Sequence, residues 1–115
     1  MIVPGPATRI FLAAGVTDLR RSFDGLHGLV RSQLAEDPRS GHLFLFCNRS
    51  RNRLKVLCFD GTGLWICAKR LERGRFTWPE AEVGPKVRLR AEELALLLGG
   101  LELTRVARQN WWRSE

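Results

Sequence analysis

Residues 49–75 carry Arg49, Arg51, Arg53, Lys55, Lys69, Arg70, Arg73 and Arg75 against only Asp60 and Glu72, which is +6 of the chain's net +7. Cations at that density suit a polyanion, and the planar guanidinium fork matches phosphate oxygens well. A sequence pI of about 10.6 points the same way. Four of these cations fall in "CNRSRNRLK" (47–55) and four in "KRLERGRF" (69–76). Phosphate contacts from such side chains give affinity for nucleic acid without reading bases. Trp65, Phe76 and Trp78 add rings on which an unpaired base could stack. Taken alone, 47–55 reads better as a solvated hairpin tip whose charges discourage edge aggregation, and its case for nucleic acid rests on 69–76 joining it.

Other chemistry is missing. The chain has no tyrosine, which removes a tyrosine-nucleophile recombinase. His27 and His42 have no catalytic neighbour in sequence. Asp18 and Asp24 lie near a helix start, where carboxylates favour the positive end of the dipole. Asp60 sits in "DGTG", which reads as an Asx-type turn rather than a phosphate loop, because no lysine and helix follow it. Cys47, Cys58 and Cys67 form no C-x-x-C pair and each lies in an apolar run, so they read as small buried hydrophobes. No catalytic residue, metal site or cofactor is expected.

The elements that must position the cations follow from periodicity. "TRIFLAAG" (8–15) is a short strand stopped by glycine. Phe23, Leu26, Val30 and Leu34 step by threes and fours and predict a helix from Ser22 to Ala35, capped by Ser22 or Thr17. Gly25 and Gly28 on it suggest a face lying close to a sheet. "HLFLFC" (42–47), "RLKVLCF" (53–59) and "LWICAKRL" (64–71) are strand-length runs joined by the turn-rich spacers "NRSRN" and "DGTG", which predicts hairpins in an antiparallel meander. In that meander the 48–52 and 72–75 turns fall at one end of the sheet. "RFTW" (75–78) reads as a further strand ended by Pro79, and "VRLR" (87–90) as a short edge strand. "AEELALLLGG" predicts a second helix with Leu94, Leu97 and Leu98 inward and a glycine stop. The fold class is therefore α+β, with four to six strands and two helices in the order β-α-β-β-β-β-(β)-α. The strands are nearly continuously apolar, a sign of cover on both faces. The two helices are expected on one face, leaving the other for an oligomer or a partner.

At 115 residues, 44% hydrophobic and 27% charged, the chain suits one domain, expected over 1–103 with a basic, tryptophan-containing tail at 104–115. The N-terminal run "MIVPGPATRIFLAAG" does not read as a signal peptide or membrane span, so a cytoplasmic protein without membrane contact is expected. In the tail, Trp111, Trp112 and Arg113 have the composition of an interface anchor. "ELALLLGGLELTRVARQ" also admits a helix-turn-helix, although no third helix supports it.

"TDLRRSFDGLHGLV" (17–30), "SGHLFLFCNRSRNRLKVLCFDGTGLWICAKRLERGRFTWP" (40–79) and "AEELALLLGGL" (91–101) resemble the small accessory protein of insertion sequence 66 elements, the TnpB-type or second-open-reading-frame family. The string D-G-x-G-L-W-x-x-x-K-R-L-E-x-G-R-F-x-W-P, Asp60 to Pro79, carries the resemblance most specifically. Cys58, Phe59 and Cys67 depart from the family's usual bulk and leave the basic positions intact. The resemblance implies a protein encoded beside a separate DDE-type transposase and needed for efficient transposition. The expected partners are DNA at transposon ends or target, the element's transposase and its other accessory protein. The alternative is a docking module for those proteins without direct DNA contact.

Overall fold

Strand-forming runs and amphipathic stretches take up seven elements in the computed structural model, which describes residues 5–81 and 83–99. In chain order they are β1 (Ile10–Ala13), α1 (Phe23–Ser32), β2 (Leu43–Cys47), β3 (Arg53–Phe59), β4 (Leu64–Arg70), β5 (Lys86–Leu89) and α2 (Ala91–Leu98). The strands form one sheet in the order β4-β3-β2-β1-β5. The α+β class holds, and β2-β3-β4 is the expected antiparallel meander.

Side chains alternate across a strand, and here both sides are apolar. Ile10, Leu12, Leu43, Leu45, Leu54 and Val56 point to one face, where Leu94 and Leu97 of α2 cover them. Phe11, Ala13, Phe44, Phe46 and Leu57 point to the other, against Leu26 and Val30 of α1. The helices therefore lie on opposite faces, not on one. Each covers one half of the alternating set, so the face expected to stand open carries a helix.

Three other expectations change. First, β1 pairs with β2 in parallel, because the connection between them contains α1 and crosses the sheet. A parallel pair requires such a crossover, whereas a tight turn would make the pair antiparallel. Second, "RFTW" is not a strand. Its alternation is real, since Phe76 and Trp78 are buried and Thr77 less so, but the segment runs across the sheet and its rings plug the α2-side core. The indole Nε1 of Trp78 donates to the carbonyl of Ala13 at 2.9 Å. Third, Gly25 and Gly28 do not touch the sheet. A Cβ at Gly25 would meet the Arg21 side chain at 3.0 Å, and one at Gly28 would meet nothing within 4 Å.

Helix ends match their sequence signals in part. Ser22 is the N-cap of α1 but makes no side-chain cap bond. At α2 the Glu93 carboxylate accepts the backbone N–H of Arg90 at 2.9 Å, satisfying a donor left free by helix geometry. The boundary at 103, the tail 104–115 and the second half of the helix-turn-helix reading lie outside the described residues.

Trp78 separates packing from hydrogen bonding. Trp78→Ala is expected to cost about 3–5 kcal/mol through lost ring volume. Trp78→Phe keeps most of the volume but loses the indole hydrogen bond to the Ala13 carbonyl, at about 1 kcal/mol. Urea denaturation of both variants checks this, and equal losses would show that volume is not the dominant contribution.

Candidate nucleic-acid interface

The basic segments meet because of backbone geometry at one end of the sheet. The β2–β3 turn is shaped by Asn48, whose Oδ1 accepts the backbone N–H groups of Asn52 and Arg53, both at 3.1 Å. The Asn48 Nδ2 donates to Asn52 Oδ1 at 2.9 Å. Beyond β4 the chain turns back over this loop. Leu71 N–H donates to the Asn52 carbonyl at 2.8 Å, and Phe76 N–H to the Arg51 carbonyl at 2.6 Å. Arg49 to Arg53 and Arg73 to Arg75 are thereby adjacent, stitched together by main chain.

The eight cations do not have equal freedom. Arg51 holds a left-handed backbone, φ 58°. Its guanidinium donates to the Gly15 carbonyl at 3.0 Å and lies over the Trp78 ring, 5.8 Å from the centroid. Lys55 Nζ donates to the Arg21 carbonyl at 3.0 Å, and Lys69 Nζ to the Leu98 carbonyl at 2.6 Å, at the C-terminal end of α2. Arg70 lies 3.5 Å from the exposed carboxylate of Glu72. Arg49, Arg53, Arg73 and Arg75 are exposed, and none has a carboxylate partner among the described residues.

An open cleft of about 760 Å³ adjoins this end, with Arg53, Lys55, Lys69 and Arg70 on one side and Asp18 and Arg20 on the other. Arg20 adds a rim cation that sequence reasoning passed over. Asp18 clasps it through both carboxylate oxygens, at 2.7–3.2 Å. That pairing lowers the Asp18 pKa to about 2 and raises that of Arg20. The spacing D-x-R was the available signal.

The stacking candidates divide differently from expectation. Phe76 and Trp78 are 2% and 8% exposed and packed in the core, so neither presents a face to a base. Trp65 is 55% exposed but pairs with Cys58, near the β3–β4 turn. It stands five residues along β4 from Arg70, roughly 17 Å at strand rise. There its indole Nε1 donates to Asp60 Oδ2 at 2.7 Å. Asp60 Oδ1 also accepts from the N–H groups of Thr62 and Gly63 and from the Thr62 hydroxyl. The D-G-T-G turn is the Asx-type structure expected. Trp111, Trp112 and Arg113 lie outside the described residues.

Chemistry beyond charge is sparse. Among the described residues no three His, Cys, Asp or Glu gather as metal ligands. His42 Nδ1 accepts the Arg9 N–H at 2.9 Å, a structural role. Cys47 and Cys58 are buried and Cys67 half-buried, and burial pushes the Cys47 and Cys58 thiols up, away from the nucleophilic thiolate. No helix among the described residues is long and apolar enough to cross a membrane.

Residues 8–108 match the family model described as IS66 Orf2 like protein. The chain belongs to this family. Two relatives from Sinorhizobium fredii are similar along nearly their full length. The uncharacterized protein y4hO is 40% identical over 102 residues, 89% of this chain and 88% of its own. The uncharacterized protein y4jC is 38% identical over 109 residues, 95% of this chain and 92% of its own. No solved structure matches the chain. Membership places the chain with the accessory proteins of insertion-sequence transposition.

The Asp60 knot predicts a pH response. The Trp65 indole and the turn N–H groups hold the Asp60 carboxyl well below the usual carboxylate range. A carboxyl whose pKa is lower folded than unfolded stabilises the fold above about pH 4, and that contribution is lost as pH falls through the folded value. The thermal midpoints of wild type and Asp60→Asn are therefore expected to differ at pH ~7 and to draw together progressively as pH falls below the ordinary carboxylate value of about 3.9. The Trp65 indole N–H resonance is expected to titrate below the ordinary value of about 3.9. A midpoint at the ordinary value would remove the ionic character of this turn.

Proposed function

We propose that this chain is a non-catalytic accessory factor of insertion-sequence transposition that holds duplex DNA by its phosphate backbone. The observation that carries the reading is the pair of backbone bonds at 51/76 and 52/71. They put Arg49, Arg53, Arg73 and Arg75 at one end of the sheet, exposed and without acidic partners among the described residues. Arg70 and Lys55 extend the same surface into the cleft. Duplex is favoured over single strand because Phe76 and Trp78 are buried and Trp65 stands at the far end, leaving no base-stacking ring among the cations of the described residues. Contacts of this kind steer association and position the partner without sequence discrimination.

Binding of duplex carrying the element's ends is the test. With about four phosphates neutralised, affinity is expected to fall roughly a hundredfold between ~50 and ~200 mM salt. Arg73→Glu with Arg75→Glu is expected to flatten the slope of log K against log salt by about two and leave the thermal midpoint near wild type. Arg51→Glu is expected to lower stability as well, because Arg51 also braces Trp78. No detectable binding at ~50 mM salt would overturn the reading, and co-purification of the transposase without DNA would then support the docking alternative.

A further inference from the structure

The outer edge of β4 has no partner strand among the described residues, and the ladder on its inner side says which groups it offers. Asp60 N–H bonds the Gly63 carbonyl, and Leu71 N–H bonds the Asn52 carbonyl. With the register between them, the hydrogen-bonded pairs of the hairpin are 54/69, 56/67 and 58/65. Residues alternate strictly in such a ladder. Leu64, Ile66, Ala68 and Arg70 must therefore turn their N–H and C=O groups outward.

An edge of this length is normally protected by charge, proline, a bulge or a covering element. β4 is seven residues long, and its first five, Leu64 to Ala68, carry no charge. Lys69 and Arg70 guard only one end. Trp65 is more than half exposed, and its indole is fixed by Asp60.

We propose that this edge pairs with the same edge of a second copy, antiparallel and centred on Cys67. Of the symmetric registers, this one aligns all seven residues. It sets Lys69 opposite the partner's Trp65, Arg70 opposite the partner's Leu64, and Ile66 opposite the partner's Ala68. Each cation meets an apolar or aromatic side chain, and like charges never face one another. Centring on Lys69 instead would oppose two lysines. The outward groups of Ile66 and Ala68 make the new hydrogen bonds. Cys67 and the partner's Cys67 then form a non-hydrogen-bonded pair, with Cα atoms about 4.5 Å apart, within disulfide reach. The result is a single ten-stranded sheet from two five-stranded ones.

Sedimentation and light scattering of the full chain over a concentration series test this. A concentration-dependent dimer is expected. Ala68→Pro removes an outward N–H without touching the β3 ladder, a position where an edge strand tolerates proline. It is expected to weaken association tenfold or more with an unchanged far-ultraviolet spectrum. Mild oxidation of the native chain is expected to give a covalent dimer that Cys67→Ser abolishes, since Cys47 and Cys58 are buried. A chain that stays monomeric throughout, or a dimer that does not cross-link through Cys67, overturns the proposal. So does a folded Ala68→Pro variant that associates like wild type. If that variant fails to fold, the cross-link in the native chain decides.

Discussion

Strand β2 has no face toward water. Leu43, Leu45 and Cys47 are buried on the α2 side and Phe44 and Phe46 on the α1 side, and the rest of the molecule is arranged around that demand. A strand buried on both faces accepts no charged side chain, because an unpaired charge there would lose its hydration without compensation. Cations in a chain this basic are consequently driven to the ends and edges of the sheet. The basic end and the half-guarded β4 edge are two results of one constraint. The first concentrates arginines where strands turn, and the second leaves an uncharged strand where the layers stop.

The strands were legible because continuous apolar runs bounded by N-R-S-R-N and D-G-T-G have few other readings. Which helix covers which face was not, since α1 and α2 each show an amphipathic stripe and nothing local records the side on which it docks. The parallel β1–β2 pair was hidden for a related reason. A crossover and a long return loop look alike until Phe44 and Phe46 are seen to need a helix above them. "RFTW" misled through a correct signal: Phe76 and Trp78 do share a side, but their side chains fill a core rather than extend a ladder.

The basic end was legible as a cluster and illegible as a set of roles. Arg49 and Arg51 are two residues apart in one turn, yet only Arg51 is committed to the fold. What separates them is a backbone carbonyl at Gly15 and the face of Trp78. Lys55 and Lys69 are likewise held by carbonyls, of Arg21 and Leu98. An arginine paired with a carboxylate can be suspected from spacing, as with Asp18 and Arg20. A carbonyl acceptor is present at every residue and leaves no mark in the sequence, so these roles appear only once the chain is folded.

The place of β1 in the sheet also bears on how the chain reaches this structure. Ile10 pairs with both Leu43 and Leu89, so β1 is completed by β5. The β2-β3-β4 hairpins join near neighbours and close small loops, whereas the β1–β5 pair closes most of the chain and carries the largest loop entropy. On a growing polypeptide the hairpins have all their residues well before β5 is synthesised. Until β5 arrives, β1 is itself a bare sheet edge, and the interval before it is covered is when the nascent chain is most exposed to wrong pairing.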